Sequence, residues 1–126
     1  MFSTGRVWTG RELRGLVSYL KGCIKMRQGI ALAGNLVVDH IKIIDSYPRE
    51  GCLSSILSLH KSVGGAPSNV GIDLSKIDSS IPLKVIGVVG DDEDGRYVMN
   101  ILKSNDIDTS QISKNAKLRT SFTDVM

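Results

Sequence analysis

Short apolar runs that alternate with helical segments limit the folds open to this chain. Ile30–Ala33 and Lys84–Val89 are nearly continuous apolar runs, which is typical of strands buried in a parallel sheet. Apolar residues at helical spacing follow each run: Val70, Leu74 and Ile77 first, then Tyr97, Val98, Ile101 and Leu102. The order strand, helix, strand, helix predicts an α/β fold with a parallel sheet and crossover helices.

A second group of strands is predicted outside this alternation. Side chains alternate between two sets, with Val38, His40 and Lys42 on one side and Asp39, Ile41 and Ile43 on the other. Asp39 interrupts an otherwise half-buried apolar face, so its carboxylate needs a partner or a ligand. Leu53–His60 fits a strand or a helix, and we favour a strand. The segment Thr120–Met126 is predicted to form another strand.

Glycine-containing loops separate these elements. The glycine pair in Gly64-Gly65-Ala66-Pro67-Ser68-Asn69 allows unusual backbone angles and close approach, and Pro67 suits a first helical turn. The acidic loop Gly90–Gly95 precedes the second helix, where the helix dipole favours negative charge. Asn105 predicts a left-handed stop after that helix.

The first 28 residues differ in charge from the rest of the chain. Residues 1–28 carry a net charge of +5, whereas the whole chain carries +3. Residues 29–126 therefore carry −2, which gives no electrostatic reason to expect nucleic acid. Thr9 and Glu12 have capping-box spacing. Apolar residues at helical spacing follow: Leu13, Leu16, Val17, Leu20 and Ile24. Residues 1–28 are therefore predicted to form a basic amphipathic helical extension.

Three interpretations of this extension remain open. It is a surface helix packed on a neighbour, an organelle-targeting or membrane-surface helix, or a segment upstream of the true start, because Met26 stands just before the first strand. No apolar run approaches the ~20 residues that a membrane span needs. Nothing resembles a secretory signal, so we expect a cytoplasmic protein in which Cys23 and Cys52 are reduced.

Three motifs together resemble the amino-terminal part of the ribokinase-like (PfkB) carbohydrate kinases. They are Gly34-Asn35-Leu36-Val37-Val38-Asp39, Gly64-Gly65-Ala66-Pro67-Ser68-Asn69 and Val88-Val89-Gly90-Asp91-Asp92, in that family's order and spacing. The resemblance covers residues 29–126. It implies a parallel sheet with helices on both faces and a small β lid over a sugar site, incomplete here because only the N-terminal part is present. It also implies transfer of the ATP γ-phosphate to a sugar or nucleoside hydroxyl.

The resemblance gives four residues a role in sugar binding. Asp39 matches the aspartate that holds sugar hydroxyls, and Asn69 matches an asparagine that contacts the sugar. Gly64 and Gly65 match glycines that let the backbone approach the sugar. A carboxylate accepts strong charge-assisted bonds from hydroxyls, and an amide both donates and accepts. The structural alternatives are a lid-surface carboxylate, a helix-capping amide and a plain turn.

Two positions depart from ribokinases themselves. Val37 stands where they carry an asparagine, and Ala66 stands where they carry a lysine. These departures argue against ribose and leave another sugar, a sugar acid or a nucleoside open. His40 is interpreted as a lid or surface histidine.

The motifs for phosphoryl transfer are absent from the sequence. It contains no Gly-Ala-Gly-Asp, which supplies the general base in this family, no P-loop and no G-x-G-x-x-G. The resemblance therefore places the base and the residues that bind ATP and Mg²⁺ beyond this chain, and we expect the chain alone to be inactive. A small non-catalytic α/β binding or interaction module is the alternative. A homodimer formed through the lid is compatible with the family.

Overall fold

The computed structural model describes residues 9–15 and 28–126. Residues 10–15 are helical. The other elements, in chain order, are β1 (Ile30–Ala33), β2 (Val37–Ile44), β3 (Ile56–Gly64), α1 (Ala66–Ile77), β4 (Leu83–Gly90), α2 (Glu93–Ser104), β5 (Asp108–Asn115) and β6 (Ser121–Val125).

The strands form two three-stranded sheets. In the first, β4 lies between β1 and β5, and all three strands are parallel. This sheet and the helices α1 and α2 are together called the body below. In the second, called the lid sheet, β2 pairs antiparallel with β3 and parallel with β6. The predicted parallel α/β arrangement is confirmed, and the ambiguous segment before the glycine pair is a strand, β3.

The core lies on one face of the body sheet. Val85 and Val89 are buried there together with Val98 and Leu102 of α2, whereas Ile86 and Val88 on the opposite face are exposed. The prediction that Ile30–Ala33 is a buried strand is wrong about burial. β1 is an edge strand, and only Leu32 is half-buried in it.

The buried face of α1 also differs from the prediction. Val70 and Ile77 are exposed, and the helix instead buries Pro67, Ser68 and Gly71. A β-carbon at residue 71 would lie 3.2 Å from side-chain atoms of Leu32 and Ile107. α1 therefore packs on the sheet through its small residues, which hydrophobicity at helical spacing does not reveal.

The predicted apolar face of α2 is confirmed, since Val98 and Leu102 are fully buried. Its boundaries differ from the prediction. The helix begins at Glu93, inside the predicted acidic loop. Asn105 caps the other end with φ −105°, and Asp106 takes the left-handed conformation with φ 56°. The left-handed stop is therefore one residue later than predicted.

The capping box at the start of the N-terminal helix is confirmed. The Thr9 amide donates to Glu12 Oε2 at 2.9 Å, and the Glu12 amide donates to Thr9 Oγ1 at 3.4 Å. The rest of the predicted apolar stripe, from Leu16 to Ile24, lies outside the described residues, as does Cys23. Cys52 is exposed.

Candidate functional site

Asp39 lies in the central strand of the lid sheet. Its register partners are Ser62 of β3 and Thr123 of β6, so three polar side chains cross one face of the sheet. Thr123 Oγ1 donates a hydrogen bond of 2.5 Å to Asp39 Oδ1. The Thr123 hydroxyl therefore fixes one carboxylate oxygen of a half-buried side chain. The sequence did not indicate this partner, because 84 residues separate the two positions.

Gly64 lies against the other oxygen of the same carboxylate. A β-carbon at residue 64 would be 2.8 Å from Asp39 Oδ2, closer than side-chain carbons approach such atoms. Val37, one of the two departures from ribokinases, pairs with Gly64 and shares the face of Asp39. A glycine at position 64 therefore leaves room for the Asp39 carboxylate.

Gly65 joins the lid sheet to the first helix. It is the N-cap of α1 with φ 90°, a backbone angle that favours glycine. A β-carbon there would lie 2.1 Å from the carbonyl oxygen of Asn35, in the loop between β1 and β2. The glycine pair is therefore more than a plain turn, since each member makes a close approach to the motif that contains Asp39.

Asn69 lies in the first turn of α1 and is exposed. Its amide N–H donates to the Gly65 carbonyl at 3.0 Å, and the helix begins without a side-chain capping bond. The capping role considered for the Asn69 side chain is therefore not observed. Asp39 therefore contacts Gly64 at the end of β3, and Gly65 and Asn69 follow in the cap and first turn of α1.

A second cluster joins the lid sheet to the body. Asp94, in the first turn of α2, is only 8% exposed. Its two carboxylate oxygens lie 3.0 Å from His40 Nε2 and 3.0 Å from Lys61 Nζ. Lys61 also donates to the exposed Glu93, and these hydrogen bonds, to Glu93 first and then to Asp94, raise the pKa of Lys61. The sequence indicated a lid or surface histidine at position 40 but not its partner Asp94.

Asp92 connects the start of α2 to the start of β6. It is the N-cap of α2 and accepts from Gly95 N at 2.8 Å. It also accepts from the amide of Thr120 at 2.8 Å and from the Thr120 hydroxyl at 2.7 Å. These bonds, chiefly those from Thr120, lower the pKa of Asp92 to about 2. The acidic loop was predicted, but its bond to Thr120 was not.

The described residues offer no group of three or more His, Cys, Asp or Glu side chains suited to hold a metal ion. In the same described ranges, no helix has the length and apolar character needed to cross a membrane.

Similar proteins share this arrangement of a parallel α/β body and a lid sheet. An uncharacterized sugar kinase from Pyrococcus horikoshii, also solved in complex with ATP, matches with a TM-score of 0.60 and 31% identity over 75% of this chain and 29% of its own. A 5-dehydro-2-deoxygluconokinase of Clostridium beijerinckii is 31% identical over 112 residues, which are 86% of this chain and 31% of that protein.

A third protein is an aminoimidazole riboside kinase from Salmonella enterica, solved with aminoimidazole riboside and an ATP analog. It is 25% identical with a TM-score of 0.59, over 75% of this chain and 28% of its own. The fold is therefore that of the ribokinase-like sugar kinases. The model of the pfkB family carbohydrate kinases matches residues 28–125, and the chain belongs to this family. It spans only about 30% of the length of these relatives.

Proposed function

We propose that this chain is the N-terminal part of an ATP-dependent carbohydrate kinase, which transfers the γ-phosphate of ATP to a sugar or nucleoside hydroxyl. This part carries the lid sheet and the sugar-binding residues Asp39, Gly64, Gly65 and Asn69. We assign residues 29–126 to the kinase portion and residues 1–28 to an extension ahead of it. The family match, which begins at residue 28, supports this division.

The geometry of Asp39 carries the proposal. Thr123 donates to one oxygen of the carboxylate, and the other oxygen lies against Gly64, which has no side chain to cover it. That oxygen can accept hydrogen bonds from sugar hydroxyls, and bonds to an ionised carboxylate are among the strong ones. The exposed Asn69 amide, just past the glycine pair, supplies a donor and an acceptor for further hydroxyls.

ATP belongs to the proposal through the relatives, and Mg²⁺ belongs to it through the resemblance to the family. The Pyrococcus horikoshii relative has been solved with ATP, and this sequence contains no P-loop. We propose that the residues that bind ATP and Mg²⁺, and the general base, come from the rest of the kinase. The 126-residue chain alone is then inactive in phosphoryl transfer.

Two further attributes are part of the same proposal. The lid sheet exposes apolar side chains, among them Leu57, Leu59 and Phe122, which supports a homodimer formed through the lid. A cytoplasmic location accords with the sugar kinase relatives. Neither nucleic acid nor a membrane is a proposed partner.

Sugar binding by Asp39 is the first testable prediction. Isothermal titration of the 126-residue chain with D-fructose, 5-dehydro-2-deoxygluconate and aminoimidazole riboside should detect binding of at least one of them. Asp39→Asn should weaken that binding about 10- to 100-fold, because a hydrogen bond to a charged group contributes about 1.5–3 kcal/mol.

The matched control is Asp45→Asn, which removes an exposed carboxylate just after β2, bonded to Ser54 and Ser46, without touching Asp39. Equal affinity in Asp39→Asn and wild type would return Asp39 to a structural role, and failure of all three probes to bind would favour the non-catalytic module. With ATP present, sugar-dependent ATP consumption above a blank without protein would place a base within this chain and contradict its predicted inactivity.

A further inference from the structure

We propose that Asp94 is a positioning residue for the sugar site: it fastens the lid sheet to the body and so holds Asp39 in place. The proposal rests on the proposed function only for its effect on sugar binding. The contact itself is a property of the fold and is measured separately below.

One buried carboxylate bridges two lid strands. His40 of β2 and Lys61 of β3 are direct register partners, and each binds a different oxygen of Asp94 at 3.0 Å. The Asp94 side chain is 11% exposed, the His40 side chain 28% and the Lys61 side chain 34%. The bridge is therefore partly shielded from water, where such contacts are stronger than on an open surface.

Neighbouring contacts also hold the lid sheet against α2. Tyr97, three residues along α2 and hence on the same helix face, donates its hydroxyl to the Lys61 carbonyl at 2.9 Å. The His40 ring stacks on Phe122 of β6 at a centroid distance of 5.5 Å. The first two turns of α2 therefore contact β2 and β3 directly and reach β6 through His40.

The energetics favour a docked lid. A buried carboxylate is costly unless it is paired and hydrogen-bonded. Movement of the lid sheet away from α2 would remove both partners of Asp94 at once. The pairs Lys42–Asp124 and Lys84–Asp108 lie within the lid and within the body respectively, so lid movement would leave them intact. Asp94 therefore helps to fix the position of the lid relative to the body, whereas these two ion pairs do not.

The bridge is linked to the candidate sugar site through the backbone of β2. His40 directly follows Asp39, and successive side chains of a strand point to opposite faces. Asp94 thus binds one face of the strand whose other face carries the sugar-binding carboxylate. A displacement of β2 from α2 moves Asp39 by a similar amount, and catalytic and binding geometry tolerates little displacement.

Hydrogen–deuterium exchange of the 126-residue chain tests the proposal without any ligand. Asp94→Asn should speed the exchange of β2 and β3 amides about tenfold, while β4 amides keep their protection, because the substitution weakens an attachment of the lid and leaves the body intact. Glu93→Gln is the matched control. Glu93 binds the same Lys61 at 2.9 Å but its side chain is 81% exposed, so its loss should leave lid exchange unchanged.

Unchanged lid exchange in Asp94→Asn would overturn the proposal, and so would an equal rise in β2, β3 and β4, which would mark a general structural role. If Asp94→Asn does not fold, the same exchange rates are measured on Lys61→Met, and the same results support or overturn the proposal. A sugar bound by wild type should bind Asp94→Asn about tenfold more weakly. If wild type binds none of the three probes, the proposed function fails, while the exchange comparison still decides whether Asp94 holds the lid.

Discussion

Ser68, at the start of α1, is a buried polar residue. Its side chain is fully buried, and its hydroxyl has no hydrogen-bond partner among the described residues. A buried polar group left unsatisfied costs about 1–3 kcal/mol. The adjacent Asn69 is exposed, so a change at Ser68 is separable from the candidate sugar contact.

We expect Ser68→Ala to stabilise the chain by about 1 kcal/mol, because it removes this hydroxyl at little cost in volume. Urea denaturation followed by circular dichroism measures the change. Ser75→Ala is the control: it has the same helix propensity gain in the same helix, but its hydroxyl donates to the Ile72 carbonyl at 2.8 Å. Destabilisation of Ser68→Ala relative to Ser75→Ala would show that the Ser68 hydroxyl is satisfied.

The importance of the glycine pair was predictable, but its physical cause was not. The residues indicated a turn with close backbone approach, and the resemblance to the family implied that this turn approaches a sugar. The structure shows that Gly64 makes room for the Asp39 carboxylate and Gly65 for the Asn35 carbonyl. Both contacts depend on the β2–β3 register, which a single sequence does not display.

Secondary structure was predictable where apolar spacing was strong. β4 and α2 follow clear apolar patterns and were predicted. β5 was not predicted, because its sequence Asp-Thr-Ser-Gln-Ile-Ser-Lys-Asn is polar and only Thr109 and Ile112 are buried in it. Such an edge strand depends on pairing with β4, so tertiary contacts override its weak local preference.

The Asp92 cap of α2 gives a prediction on pH dependence. Its pKa is lowered from 3.8 to about 2 in the folded chain, chiefly by hydrogen bonds from Thr120. The ionised carboxylate therefore contributes stability that is fully present above about pH 4 and lost as the pH falls toward 2. Asp92→Asn should cost about 2 kcal/mol at pH 7, since it weakens a helix cap and charged hydrogen bonds.

The loss in Asp92→Asn should shrink between about pH 4 and pH 2, which denaturation series at several pH values would measure. Asp91→Asn serves as the control, because Asp91 is 56% exposed and its cationic neighbour Lys114 is 4.0 Å away. A constant difference between wild type and Asp92→Asn over the whole range would contradict the role assigned to the Asp92 charge.

For the molecule as a whole, residues 1–28 stand apart from the kinase portion in charge and in family match. We expect deletion of residues 1–25 to lower the free energy of unfolding by less than about 2 kcal/mol, because a helix outside the family domain should contribute few core contacts. Thermal and chemical denaturation of the shortened and full chains measure the difference. A larger loss would show that the extension packs against the body.

The lid sheet also fixes the order in which the site can be completed. β2 and β3 form a hairpin from neighbouring segments, whereas β6 joins β2 across a sequence separation of 84 from Asp39 to Thr123. Contacts of such long sequence separation form late, because the intervening chain must first be ordered. At a synthesis rate of about 5–20 residues per second, roughly 4 to 17 s pass between the synthesis of Asp39 and that of Thr123. During that interval the β2 edge of the hairpin is unpaired, so a strand of another chain can pair with it before β6 does.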